Sequence, residues 1–117
     1  MSKLTNSISK ISVLILGSNG FIGRELVNLF KDDSDNYELT ALNRSKLDLM
    51  DREAVDNFFE NPKNKFDVVI NSVSVGGSRL VNDDETIFYQ NIITFGNVAK
   101  HSDKFKWTRQ ISVSFYK

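Results

Sequence analysis

Three glycines stand three apart in Gly17-Ser18-Asn19-Gly20-Phe21-Ile22-Gly23. The apolar run Ile11 to Leu16 leads straight into them, and an amphipathic stretch follows at once. That order of parts suits a turn that holds a dinucleotide. The first glycine lets the chain reverse tightly, the second lets backbone approach a pyrophosphate, and the third lets the next helix pack close to the strand. The N-terminus of that helix then faces the phosphate charge. The spacing is a variant, with two residues rather than one between the first two glycines. A tight turn that binds nothing has the same local pattern, so the binding reading rests on the strand before and the helix after. No Gly-Lys-Ser or Gly-Lys-Thr follows, which argues against a mononucleotide P-loop.

A second group of residues bears on which dinucleotide. In turns of this kind an acidic residue about 20 positions further on holds the ribose 2′-hydroxyl. Here Asn43-Arg44-Ser45 stands at that place. A missing carboxylate with a guanidinium beside it suits a 2′-phosphate, which favours NADP over NAD. The other reading of Arg44 is a solvated loop cation.

The elements that must position these residues alternate between strand and helix patterns, which predicts a three-layer α/β fold with a parallel sheet. After the first strand, Ile22, Leu26, Leu29 and Phe30 recur at helical spacing through Lys31. Asp32 to Asn36 is a polar turn, and Tyr37 to Leu42 a second strand. A short third strand is expected around Leu47-Asp48-Leu49. Asp51 can cap the next helix, whose face is Ala54, Val55, Phe58 and Phe59, with Pro62 just beyond its end. Phe66 to Ile70 is a fourth strand ending at Asn71, and Ser72 to Asn82 a loop. Asp83 or Asp84 can cap a long helix with the stripe Ile87, Phe88, Ile92, Phe95, Val98 and Ala99. Trp107 to Tyr116 would be a fifth strand, although it alternates more than a doubly covered parallel strand should. Residues 1–10 form a polar extension, and residues 11–117 one domain.

Bulk composition narrows the function classes. The chain has 117 residues, 40% of them hydrophobic and nine of them Phe, enough for a sizeable core. Fifteen basic residues balance fifteen acidic ones, so no overall field favours nucleic acid or an anionic membrane. Without cysteine there are no disulfides, thiolate metal ligands or thiol nucleophiles, and His101 alone cannot build a histidine-rich metal site. No metal is expected. No apolar run approaches the roughly 20 residues of a membrane span, and Met1 to Lys10 lacks a signal-like core. A cytoplasmic location is the expectation.

Gly17 to Gly23, then Leu47-Asp48-Leu49-Met50-Asp51, then Val69-Ile70-Asn71-Ser72-Val73-Ser74 resemble the extended short-chain dehydrogenases. These include the NAD(P)-dependent nucleotide-sugar epimerases, dehydratases and reductases. Val75-Gly76-Gly77 followed by Phe88-Tyr89-Gln90-Asn91 is similar to the GDP-L-fucose synthase branch, and the middle helix to dTDP-4-dehydrorhamnose reductases. The resemblance covers about residues 11–101. It implies a Rossmann-type fold with Ser18, Asn19, Gly20, Phe21 and Ile22 along the pyrophosphate and Asp48 with Leu49 at the adenine. Ser72, Val73 and Ser74 would line the nicotinamide-ribose side. Asn91 matches a family asparagine. It also falls on the face of Ile87, Phe88 and Phe95, so it reads either as a buried core amide or as a site residue.

The family's reaction uses a Ser or Thr with a Tyr-x-x-x-Lys pair. By that resemblance Ser112 would be the catalytic serine; the alternative is the polar face of an alternating strand. None of Tyr37, Tyr89 or Tyr116 has a Lys four positions later. The resemblance therefore implies an NAD(P)-binding portion, truncated after about five strands, that is not catalytic alone. Its partners would be a dinucleotide and, in a full-length form, a nucleotide-sugar. An open sheet edge after the fifth strand would invite self-association. The competing reading is a non-catalytic module that senses or stores a dinucleotide.

Overall fold

The computed structural model describes residues 10–73, 85–105 and 107–110. The polar extension before residue 10, Ser74, Gly76, Gly77, the caps Asp83 and Asp84, and Ser112 lie outside the described residues.

The chain runs β1 (Ile11–Leu16), α1 (Phe21–Lys31), β2 (Tyr37–Leu42), α2 (Arg52–Glu60), β3 (Val68–Asn71), α3 (Glu85–Ala99), a 3-10 turn (Ser102–Lys104) and β4 (Trp107–Gln110). The four strands form one sheet in the order β2-β1-β3-β4. All pairings are parallel, with Leu16 opposite Leu42 on one side and Asn71 on the other. Parallel pairing demands crossover connections, and the helices supply them on both faces.

Strand β1 shows why its sequence is a continuous apolar run rather than an alternating one. Leu14 and Leu16 point to one face, where they meet Leu49, Val55, Phe59, Val69 and Val98. Val13 and Ile15 point to the other, with Ile70 and the half-buried Leu26, Val27 and Phe30 of α1. Helix α1 thus covers one face, and α2 with α3 the other. These three layers around a parallel sheet are the Rossmann-type arrangement expected from the residue pattern.

Local chemistry sets most boundaries. The Asp51 carboxylate accepts from the Ala54 amide at 3.1 Å and caps α2, a contact of about 1 kcal/mol. Phe30 and Tyr37 meet edge to face at 4.9 Å, tying the end of α1 to the start of β2. Helices α2 and α3 are clasped by Asp56, which accepts from Lys100 Nζ at 2.9 Å and lies 2.8 Å from His101 Nε2. The Lys100 ammonium and the His101 imidazole hold the Asp56 carboxyl below its ordinary range.

Three expectations need correction. Leu47-Asp48-Leu49 is not a strand but part of an irregular stretch from Asn43 to Asp51. Its alternation is real, since Leu47 and Leu49 are both buried. The reason it pairs with nothing is that Asn43 and Asp48 bend the backbone through side-chain bonds. Second, Leu29 of α1 is 66% exposed instead of packing with Leu26 and Phe30. Third, α3 is turned from the expected stripe. Its buried residues are Thr94, Asn97 and Val98, continued by His101, while Ile92 and Phe95 are about half exposed. Asn91 is half-buried. The side chains of Ile87 and Phe88 lie outside the described residues.

A cleft at the carboxyl ends of the strands

The crossover from β1 to α1 is built by the glycines. Gly17 adopts φ +84°, a left-handed conformation that only glycine takes without strain. A Cβ on it would also come within 2.9 Å of Ser72 Oγ and 3.0 Å of Val73 Cγ2. Gly23 is buried in the first turns of α1, where a Cβ would overlap the Gly17 carbonyl. Gly20 is different: a Cβ there would meet only the Gly17 carbonyl oxygen, at 3.5 Å. It is the N-cap of α1 and provides no side-chain cap, so the first-turn amides of the helix face outward uncapped. The turn is latched to β2, because the Gly17 and Ser18 amides both donate to the Leu42 carbonyl, at 3.0 and 3.1 Å.

Across from the turn lies the irregular stretch 43–51. Asn43 Oδ1 accepts from the Ser45 amide, the Ser45 hydroxyl and the Lys46 amide. Asp48 Oδ1 accepts from the Met50 amide at 3.0 Å. The Arg44 guanidinium is 85% exposed and stands 4.0 Å from Asp48 Oδ1. An exposed pair at that distance is worth little, so Arg44 is available to an incoming anion.

Between the two walls is a cleft of about 360 Å³ at the carboxyl ends of the strands. It brings together Gly17, Asn19 and Gly20 from the turn, Arg44, Asp48 and Leu49 from the irregular stretch, and Ser72 and Val73 after β3. The Ser72 hydroxyl donates to the Leu16 carbonyl at 2.7 Å, joining the ends of β1 and β3. Asn71 is buried, and its side chain accepts from the Val73 amide at 3.0 Å. Of the other residues singled out in the glycine run, Ser18 and Ile22 are half-buried outside the cleft lining, and Gly23 lies beneath it. Phe21 is 80% exposed. Ser74 and Ser112 cannot be placed against the cleft, because they lie outside the described residues.

The cleft also contains residues to which sequence reasoning gave no role in the site: Asn43, Met50, and Gln90 with Thr94 on α3. A signal for the last was available. Gln90, Thr94 and Asn97 recur at i, i+4 and i+7 along α3, a spacing that puts polar residues on one helix face. Among the described residues no cluster of three or more His, Asp or Glu could hold a metal, and no helix is long and apolar enough to cross a membrane.

The residues present fit a dinucleotide. A glycine cradle that a Cβ would fill, an uncapped helix N-terminus and an exposed guanidinium across a cleft suit a pyrophosphate and a ribose phosphate in charge. They stand where ligands bind in open α/β sheets, outside the carboxyl ends of the strands.

Comparison with known proteins agrees with this fold. The sequence pattern of the NAD dependent epimerase/dehydratase family matches residues 13–114. A dTDP-4-dehydrorhamnose reductase from Clostridium acetobutylicum is similar at 28% identity and TM-score 0.66, over 80% of this chain and 32% of that one. A GDP-D-glycero-L-gluco-heptose synthase from Campylobacter jejuni, solved in the presence of NADPH, is similar at 25% identity and TM-score 0.70, over 80% of this chain and 27% of that one. A GDP-L-fucose synthetase from Naegleria fowleri bound to NADP shares the fold at 22% identity and TM-score 0.70, over 90% of this chain and 34% of that one. The chain thus spans only about a third of the length of these enzymes. No curated protein matches.

Proposed function

The chain belongs to the NAD dependent epimerase/dehydratase family, and from that premise we propose that it is the NADP-binding portion of a nucleotide-sugar reductase or epimerase. The observation that carries the cofactor half of this reading is the pairing of the Gly17–Gly20 cradle with Arg44 across one cleft. The pyrophosphate would lie over Gly20 and the first turn of α1. The adenine would lie by Asp48 and Leu49, with the 2′-phosphate at Arg44. Ser72, Val73 and Ser74 would border the nicotinamide ribose. When bound, the cofactor supplies or accepts a hydride; this chain's own part is to bind and orient it. The GDP-heptose synthase solved in the presence of NADPH and the GDP-L-fucose synthetase bound to NADP support the choice of cofactor and of a nucleotide-sugar substrate class.

The same proposal holds that these residues do not turn over a sugar alone. The sequence contains no Tyr followed four positions later by Lys, and the carry-over of Ser112 as catalytic serine has no partner within it. A general acid must therefore come from elsewhere. The reading includes a cytoplasmic location and self-association. Among the described residues β4 is an edge strand of the sheet, and Tyr89, Ile92, Ile93 and Phe95 leave α3 with an exposed apolar side. Sedimentation velocity at rising concentration should show dimers or larger species; a single monomer throughout would remove that part of the proposal.

Calorimetric titration with NADP and NAD tests the central statement. The native chain should bind NADP more tightly, and Arg44→Ala should weaken NADP roughly tenfold while leaving NAD nearly unchanged, the size expected of one charge-assisted contact at an exposed site. Equal losses for both cofactors would show that Arg44 does not read the 2′-phosphate. No binding of either would overturn the reading.

A further inference from the structure

We infer that Asn97 is a positioning residue for the adenine-ribose half of the cleft: its buried carboxamide on α3 sets where the strandless stretch 43–51 stands. The inference rests on the dinucleotide reading above and names a residue outside the cleft lining. Stretch 43–51 belongs to no strand, and the latch of the Gly17 and Ser18 amides to the Leu42 carbonyl ties only its first end to the glycine turn. The side-chain bonds that Asn43 and Asp48 make are local, reaching two or three residues along the chain. They determine the shape of the stretch and not its place. Burial of Leu47 and Leu49 in the core sets its depth. Apolar contact is non-directional, so it resists lifting far better than sliding.

The directional link comes from 48 residues away. Asn97 Nδ2 donates to the Leu49 carbonyl at 2.7 Å, and both residues are buried. Leu49 sits between Asp48 and Met50, and all three border the cleft. One turn earlier on the same helix, Thr94 borders it too. The bond therefore ties the 43–51 wall to helix α3, which itself borders the cleft at Gln90 and Thr94. Breaking it leaves a buried donor or acceptor unsatisfied, which the chain relieves by moving the stretch toward water. Such a move carries Asp48 and Arg44 with it.

The probe is 2′,5′-ADP, which has the adenine, the ribose and its 2′-phosphate but no nicotinamide. It is titrated against the full chain well below its melting temperature. Asn97→Leu, close in size and without the donor, should weaken 2′,5′-ADP about tenfold, the size of one buried hydrogen bond. Asn97→Ser is too short to reach Leu49 but able to hold a water there; it should give a loss in the same direction and serves if the leucine variant does not fold. A core variant on the other face of the sheet, Val13→Ala, packs with Ile15 and Ile70 rather than with Leu47 and Leu49; it should lower the melting temperature while leaving 2′,5′-ADP affinity within about twofold. An Asn97 variant that binds 2′,5′-ADP like the native chain overturns the inference and leaves the dinucleotide reading standing. So does a Val13→Ala loss as large as that of Asn97→Leu, since general loosening would then explain both. A native chain that binds neither NADP nor 2′,5′-ADP overturns the dinucleotide reading and this inference with it.

Discussion

The two walls of the cleft are shaped by opposite means. The glycine turn takes its form from what its residues lack: no Cβ at Gly17, where φ is +84°, and none at Gly23, which lies against the Gly17 carbonyl. Stretch 43–51 takes its form from what its residues carry, the acceptor oxygens of Asn43 and Asp48 and the two buried leucines. A shape that depends on missing atoms tolerates very few residue types, so it is written openly in the sequence. A shape that depends on short polar side chains uses the same Asn and Asp that any solvated loop would use.

That contrast predicts unequal fragility. Gly23→Ala should be the most damaging single change, because its methyl group would overlap backbone that cannot swing aside. A loss of about 3 kcal/mol or more is expected, at the upper end of overpacking costs, together with loss of NADP binding. Chemical denaturation read by circular dichroism measures it. A loss under about 1 kcal/mol would mean that α1 can shift away from β1, and that the turn is softer than its glycines imply.

Asn43→Ala should cost much less, about 1 kcal/mol, since the freed Ser45 and Lys46 groups are exposed and water replaces their acceptor. Its main effect should be functional: Arg44 loses its fixed place, and the preference for NADP over NAD narrows. Asn43→Asp keeps the acceptor and should keep the stability. If alanine and aspartate prove equally destabilising in the same denaturation series, the side-chain turn is not what shapes this wall.

How much was legible follows the same division. Strands β1 and β2 fall on the residues that the apolar runs indicate, and Asp51 caps α2 as its position before a helical face implies. The glycine turn was legible because backbone sterics act locally, whereas Ser72 and Val73 after β3 were singled out by the family resemblance alone. The stretch around Leu47 misled because a period of two is necessary for a half-buried strand but does not provide a partner strand. Helix α3 misled for a related reason. Its apolar residues are numerous enough that several faces look suitable for burial, and the choice fell to the polar Asn97, whose partner Leu49 is 48 residues distant. No local pattern carries that pairing.

The smallest expected effect on stability separates the two uses of glycine within the turn itself. Gly17 and Gly23 are needed by the fold, whereas a Cβ on Gly20 would meet nothing closer than 3.5 Å and its φ of −74° suits any residue. Sterics within the fold therefore do not demand glycine at this position, and its advantage over alanine as an N-cap is a modest one. A stronger reason would act on the open side, where Gly20 borders the cleft. Gly20→Ala should change stability by no more than about 0.5 kcal/mol, as surface substitutions do. Its methyl group would nevertheless occupy the space that a pyrophosphate needs against the uncapped amides, so NADP affinity should fall about tenfold or more. Thermal melts and NADP titration of the same sample check both halves. A variant that melts and binds like the native chain would show that the pyrophosphate does not pass over Gly20. A variant that unfolds would show that the turn needs all three glycines for its own sake.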